Sequence, residues 1–357
     1  MYKSFNIKNF KCFKDFSIDN LDRINIIVGL NNAGKTALLE ALFIHCGAYT
    51  LEIPMRLDSI RGIEYAKVTV AGWEEMPWNS MFNEFDLSQT IILDAQFEPV
   101  NQRKIEIKVV KEKEELFKIS QMKKYKFAET SALYSSEAVQ VLRLEYSENK
   151  RKGKQFLVFS SEGLEFYPVA SPPPYPAFFL NDRTLKHSEN AELFSKLEVT
   201  KQDILIKYLS IIEPRLKRLS LLHYNKFPLI HGDIGLKRLL PLALMGDGTV
   251  RMASLILHIA NAPGGYVIID EIENGIHHSN MIRVWNAIAA IAKDFNVQIF
   301  VSTHSFECIA AAHKAFAESS FDNYRLHRLE RVDNIIKAIT YEKNDLDSAL
   351  ELGLEVR

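Results

Sequence analysis

The rhythm of apolar and polar positions changes repeatedly along the chain. Residues 2–8 alternate, as a strand with one wet face does. Residues 24–28 are apolar except for Asn25, the mark of a strand largely buried on both faces. A glycine-rich turn follows at 29–36, then an apolar run of helical character at 37–45. Strand, turn and helix in that order predict an α/β unit. Further on the runs shorten. Residues 90–97, 104–111, 141–146, 155–159 and 164–169 are rich in β-branched and aromatic side chains and predict an antiparallel meander with one solvated face.

Residues 168–176 hold three consecutive prolines, Pro172, Pro173 and Pro174, and can be neither helix nor central strand. They mark the return to the main sheet, with 177–180 as a core strand. Residues 191–222 read as mostly helical with a break at Pro214. The last third returns to α/β rhythm: helix 250–261, buried strand 265–270, helix 280–294, buried strand 297–301, a hairpin from 324–330 and 335–341, and a final helix at 346–352. No tandem repeat and no sustained heptads occur. The expected organisation is a first part of the main domain at 1–90, a β lobe at 91–170, a strand plus helical subdomain at 171–235, and a second part of the main domain at 236–357.

Composition adds little. The chain has 357 residues, 44 Lys and Arg against 45 Asp and Glu, and 47% hydrophobic residues, so any binding to nucleic acid must come from local patches. Cys12, Cys46 and Cys308 form no CxxC, so neither a disulfide scaffold nor a structural zinc site is expected, and a cytoplasmic location is. The start of the chain is charged throughout, unlike a signal peptide, and no membrane span is expected.

The candidate chemistry begins at Gly29-Leu30-Asn31-Asn32-Ala33-Gly34-Lys35-Thr36, which fits G-x-x-x-x-G-K-[ST] in full and lies between a strand and a helix. Backbone N–H groups of Asn31, Asn32, Ala33, Gly34 and Ala37 turn towards phosphates, and the following helix aims its positive end at the same anion. Lys35 supplies charge to the β- and γ-phosphates and Thr36 a hydroxyl to Mg²⁺. A second apolar run ends in Asp270-Glu271, at the edge where such sheets bind ligands. Asp270 is expected to hold Mg²⁺ and Glu271 to polarise the attacking water. His304 ends the next strand and can reach the γ-phosphate. Met245-Gly246-Asp247-Gly248-Thr249, just before a helix, is a second anion-binding turn. One nucleotide does not need two such turns from one chain; it can use one from each of two chains.

This arrangement resembles the ABC-type ATPases, whose signature motif closes over the nucleotide of the other subunit. Within them the chain looks like the RecF/SMC branch, and most like the small stand-alone ATPases related to the OLD (overcoming lysogenization defect) family. The resemblance is carried by IKNFKCFKDF, IIVGLNNAGKTALLEAL, LMGDGTVRMASLILHIA, VIIDEIENGIHHSNMIRVW, VQIFVSTHSFECI and LGLEVR. It implies an α/β ABC-type P-loop NTPase head with a mixed or parallel core sheet, an antiparallel β lobe, and a helical subdomain before the signature. It implies ATP hydrolysis with Mg²⁺, catalytic roles for Lys35, Glu271 and His304, nucleotide contact from Lys11, and action in trans by Gly246, Asp247 and Gly248. Gln89 is the candidate for the family's conserved glutamine. His277 and His278 are not expected to bind metal, because adjacent side chains diverge and no third ligand is spaced to join them.

The family pattern also lacks two parts here. There are no coiled-coil arms, and only 53 residues follow His304, so no Toprim nuclease domain and no intrinsic nuclease are expected. Asp345-Leu346-Asp347 reads as a helix cap. The resemblance implies a homodimer or higher homo-oligomer that controls a separately encoded effector, such as a Toprim-type nuclease, in antiphage defence. A RecF-like clamp on duplex DNA is the alternative; a transporter subunit is disfavoured by the absence of LSGGQ. The basic residues Arg103, Lys104, Lys108, Lys111, Lys113, Lys118, Lys123, Lys124 and Lys126, with Lys150, Arg151, Lys152 and Lys154, form either a solvated mixed-charge face or a DNA-phosphate track.

Overall fold

The computed structural model describes residues 1–60, 78–99, 101–122, 140–160, 163–168, 172–181, 187–197, 199–224, 227–333, 335–352 and 355–356. In chain order the elements are β1 (Tyr2–Phe10), β2 (Phe13–Ile18), β3 (Ile24–Val28), α1 (Lys35–Gly47), α2 (Glu52–Ile60), β4 (Ile91–Phe97), β5 (Asn101–Val109), α3 (Lys113–Met122) and β6 (Gln140–Glu148). Then come β7 (Arg151–Ser160), β8 (Gly163–Tyr167), β9 (Ala177–Leu180), α4 (His187–Lys196), α5 (Val199–Leu209), β10 (Arg218–Tyr224), β11 (Phe227–Asp233), β12 (Leu240–Pro241) and α6 (Asp247–Ala260). The last are β13 (Tyr266–Ile269), α7 (Met281–Asp294), β14 (Gln298–Ser302), α8 (Phe306–Glu318), β15 (Tyr324–Val332), β16 (Ile335–Tyr341) and α9 (Lys343–Glu351). Among the described residues no helix is long and apolar enough to cross a membrane.

The chain forms two units. The first gathers Met1–Tyr2, Asp19–Leu39 and Tyr175–Arg357. Its six-stranded sheet runs β16-β15-β3-β14-β13-β9. The pairs β15–β3, β3–β14, β14–β13 and β13–β9 are all parallel, and only β16 runs antiparallel, to β15. β3, β13 and β14 are buried along their whole length, as expected of strands covered on both faces. Helix α6 is buried from Thr249 to Ala260. Trp285 of α7 meets Phe316 of α8 edge to face at 5.6 Å. Asp345 caps α9 through the Glu342 N–H, 3.0 Å away, as its spacing predicts.

Residues 218–224 are a strand, not the end of a helix. α5 stops at Leu209, and β10 pairs with β11 from Arg218↔Asp233 to Tyr224↔Phe227. Leu216, Leu219 and Leu222 mimic a helical period, but Leu222 is 42% exposed while Leu219 is buried. The period that matters is the two-residue step from Leu219 to Leu221, which packs on the core.

The second unit comprises Lys3–Ile18 and Glu40–Pro174. Its seven-stranded sheet runs β2-β1-β4-β5-β6-β7-β8. The expected meander is β4 to β8, antiparallel throughout, and β1 with β2 extends it. The basic run there is not one surface. Arg103 is fully buried and donates to Glu148 Oε1 at 2.8 Å. Lys104 pairs with Glu106, Lys108 with Glu112 and Lys154 with Glu145. Among the described residues these pairs make a mixed-charge face; Lys123, Lys124 and Lys126 lie outside them.

Candidate nucleotide site

The loop between β3 and α1 is shaped by its glycines. Gly29 has φ +145°, and a Cβ there would sit 2.5 Å from the Leu329 carbonyl oxygen. Only glycine meets both demands. Gly34 also has positive φ, +96°. Lys35 opens α1, and its ammonium donates to the carbonyls of Gly29 at 2.7 Å and Leu30 at 3.1 Å. Burial lowers its pKa, opposed by the nearby carboxylates of Asp270, Glu271 and Glu273. Asn31 and Asn32 are exposed, while Ala33 and Ala37 are buried.

Thr36 Oγ1 donates to Asp270 Oδ2 at 3.0 Å, although 234 positions separate the two residues. The parallel sheet brings them together, because β13 ends one strand away from β3. The strand between them, β14, contributes Ser302. Its hydroxyl donates to Asp270 Oδ1 at 2.5 Å and accepts the Glu271 N–H at 2.8 Å. Glu271 leaves the strand with φ +53°. Asn274 Nδ2 donates to Glu271 Oε2 at 2.8 Å. His304 Nδ1 lies 4.0 Å from Glu271 Oε1 and 3.1 Å from Glu273 Oε1, and the His304 N–H donates to that same Glu273 oxygen at 3.0 Å. Lys35, Thr36, Asp270, Glu271 and His304 thus share one edge of the sheet.

Gly246 caps α6 with φ +98°, and nothing lies within 4 Å of where its Cβ would stand. Backbone conformation, not space, calls for glycine there. At Gly248 a Cβ would lie 3.4 Å from the Gly275 carbonyl oxygen, so the loop after Glu271 packs on the start of α6. Gly246 and Asp247 are exposed. Among the described residues no hydrogen bond or ion pair joins Gly246, Asp247 or Gly248 to the phosphate loop. Lys11, in the second unit, pairs with Glu40 Oε2 at 2.5 Å. Gln89 is exposed and donates to Asp86 Oδ2 at 3.2 Å.

The rings of His277 and His278 lie side by side at 4.2 Å rather than diverging. His277 Nδ1 is 2.8 Å from Ser279 Oγ, and no cluster of three metal-ligating side chains occurs among the described residues.

Four residues of the site were not anticipated: Ser302, Glu273, Asn274 and Arg251. Arg251 is 1% exposed on α6; its Nη1 donates to the Asn181 carbonyl and its Nη2 to the Glu271 carbonyl, each at 3.4 Å. Glu273 and Asn274 stand two and three places after Glu271, close enough in sequence to have been suspected. Ser302 and Arg251 act across strands and helices, where one sequence gives no signal.

A profile described as "AAA ATPase domain" matches residues 1–167, and one described as "AAA domain, putative AbiEii toxin, Type IV TA system" matches residues 87–309. The chain is 28% identical over 372 aligned positions to an "ATP/GTP phosphatase" of Helicobacter pylori, covering 98% of each protein. A 48-residue stretch is 44% identical to an uncharacterized protein of Methanocaldococcus jannaschii, covering 13% of this chain and 22% of that one. Among solved structures, an SMC head bound to the C-terminal winged-helix domain of ScpA superposes with a TM-score of 0.50 at 12% identity, covering 98% of this chain and 99% of that one. At that identity the likeness is one of fold: the α/β fold of SMC heads.

Proposed function

This chain belongs to the family described as "AAA domain, putative AbiEii toxin, Type IV TA system", and we propose that it is a switch in which two copies close around ATP and reopen on hydrolysis. At the coarser level it is an ATPase of the AAA and SMC-head type. The observation that carries the reading is the pair Thr36 Oγ1 and Asp270 Oδ2, 3.0 Å apart at the mouth of the phosphate loop.

A hydroxyl and a carboxylate so placed fit Mg²⁺, which takes one or two protein oxygens and completes its shell with phosphate and water. When bound, Mg²⁺ neutralises charge on the β- and γ-phosphates. The protein's own groups do the rest. The loop amides and Lys35 hold the phosphates. Glu271 takes the proton of the attacking water, with Asn274 fixing one carboxylate oxygen. His304, steadied by Glu273, faces the γ-phosphate. Ser302 keeps Asp270 and Glu271 in register with each other.

The exposed turn at Gly246 and Asp247 supports the two-copy reading, because it offers amides at a helix start to a nucleotide held elsewhere. A separately encoded effector, such as a nuclease acting in defence, is the partner we propose. The family's description, which names a toxin of a toxin–antitoxin system, supports that setting. The paired charges of the β lobe give the DNA-clamp alternative no added support.

The test is native mass spectrometry of Glu271→Gln protein, co-expressed with its flanking genes, in ATP and Mg²⁺. An ATP-bound dimer carrying a neighbouring gene product is expected. A monomer with ATP bound sinks the two-copy switch; a bare dimer shifts the weight to direct DNA binding.

A further inference from the structure

Residues 271–280 join the two halves of the site within one chain. The segment leaves the sheet edge at Glu271, and the Gly275 carbonyl oxygen lies against the start of α6, 3.4 Å from where a Cβ of Gly248 would stand. His277, His278 and Ser279 follow, all exposed. His277 has extended backbone, with φ −66° and ψ 136°, and a single 3₁₀ turn begins at His278. That change of direction brings the second ring round beside the first. The ring centres lie 4.2 Å apart and the planes are tilted by 35°. His277 Nδ1 stands 2.8 Å from Ser279 Oγ. The tautomer that donates there leaves a free lone pair on Nε2, the form in which imidazole binds a metal. Among the described residues the His278 ring has no hydrogen-bond partner.

We propose that His277 and His278 are half of a zinc site, completed by the same two residues of a second copy when ATP closes the pair, an inference that rests on the two-copy reading above. The symmetry of closure puts them there. Each copy offers a phosphate edge and an exposed turn at Gly246 and Asp247, and each edge takes the other copy's turn. In such a two-fold contact, a segment midway between a copy's edge and its turn lies near the axis and faces its own duplicate. Residues 271–280 are that segment, since they run from Glu271 at the edge to the start of α6. The chemistry agrees. Four neutral imidazoles make a tetrahedral nitrogen set, and Zn–N bonds of about 2.0–2.1 Å set neighbouring nitrogens roughly 3.3 Å apart. Rings 4.2 Å apart and tilted approach that spacing along their nearer edges. Ser279 Oγ fixes the His277 ring from behind, as the outer partner of a metal-bound histidine does. One chain alone supplies two ligands, too few for a closed zinc site, and among the described residues no third metal-ligating side chain joins them. Zinc therefore binds the closed pair in preference to the open chain and, by linkage, prolongs closure.

The experiment uses full-length Glu271→Gln protein, stripped of metal with a chelator and then given ATP and excess Mg²⁺. Zinc chloride is titrated in, with calorimetry reading affinity and native mass spectrometry reading stoichiometry. The ATP-closed dimer is expected to take one zinc per two chains, at least tenfold more tightly than the nucleotide-free chain takes it. Zinc is expected to slow dissociation of that dimer at least tenfold once ATP is diluted away. His278→Ala in the same background is expected to dimerise with ATP as before and to lose both zinc effects. One zinc per chain, held equally with and without ATP, overturns the proposal, because the site is then complete in a single copy. So does zinc uptake that survives in the His277→Ala, His278→Ala double variant, which places the metal elsewhere. An ATP-bound dimer that takes no zinc sinks this inference and leaves the two-copy reading standing. If ATP produces no dimer with or without zinc, the two-copy reading itself fails and takes this one with it.

Discussion

The buried guanidinium of Arg251 donates from Nη2 to the main-chain carbonyl of Glu271 at 3.4 Å. Arg251 stands on α6, one turn after the exposed Gly246 cap, and Glu271 stands where β13 breaks into a left-handed residue. The start of α6 and the proposed catalytic carboxylate are therefore held by one side chain. Arg251→Met is expected to lower kcat for ATP on the order of tenfold to a hundredfold and leave KM nearly unchanged, since orientation and not binding is lost. Arg251→Lys is expected to restore part of kcat. Steady-state phosphate release across the two variants checks this; a rise in KM at constant kcat contradicts it.

Glu271→Gln is expected to keep ATP binding and reduce turnover on the order of a hundredfold or more, because the amide cannot take a proton. Phosphate release together with a nucleotide-binding titration decides the matter. Turnover at the normal rate places the base elsewhere.

Lys35→Ala is expected to abolish binding of ATP and tripolyphosphate alike. Because burial lowers the Lys35 pKa, the ammonium of the free protein is lost below the ordinary lysine value of 10.5. ATP affinity is expected to fall as pH rises towards that value, with a midpoint beneath it. Binding titrations between neutral and alkaline pH test the sign.

Glu273→Gln keeps the shape of the side chain that holds His304 through both its ring and its N–H. A loss in kcat of a few-fold is expected. Glu273→Ala removes both contacts and is expected to lose about as much as His304→Ala. Additive losses in the double variant argue that the two residues act separately.

His327 is fully buried and its pKa is pushed down to about 3, by burial first and by Arg325 second. The unfolded chain holds this proton below about pH 6.5, whereas the folded chain does not. Stability from this group is thus complete above about pH 6.5 and falls as pH drops towards 3, by up to about 1.4 kcal/mol per pH unit. His327→Gln is expected to flatten that part of the curve. Urea midpoints between pH 4 and 7, for both proteins, provide the check.

The phosphate loop and the Asp270-Glu271 strand end were legible because their chemistry is written in consecutive residues. The local sequence fixes strand, turn and helix, and the glycines follow from the loop's backbone. The geometry that turns these pieces into a site was not legible. Ser302 joins Asp270 to Glu271 only because β14 lies next to β13, and Arg251 reaches Glu271 only through the packing of α6. The strand at 218–224 was misread for a related reason. Its leucines satisfy two periods at once, and only pairing with 227–233 chooses between them. Arg103, read as a surface base, is buried because Glu148 on the neighbouring strand meets it.

β3 lies between β14 and β15, so the strand that carries the phosphate loop finds its neighbours some 270 to 300 positions later in the chain. During synthesis, residues 24–28 leave the ribosome early and wait, wholly apolar but for Asn25, until residues 298–302 and then 324–328 emerge. Pairings this distant in sequence form slowly, and the waiting segment is exposed to aggregation. A nascent chain therefore has no working phosphate loop for most of its synthesis. Nucleotide capture becomes a property of the finished polypeptide, and a truncated product lacking β14 and β15 cannot compete with intact protein for ATP.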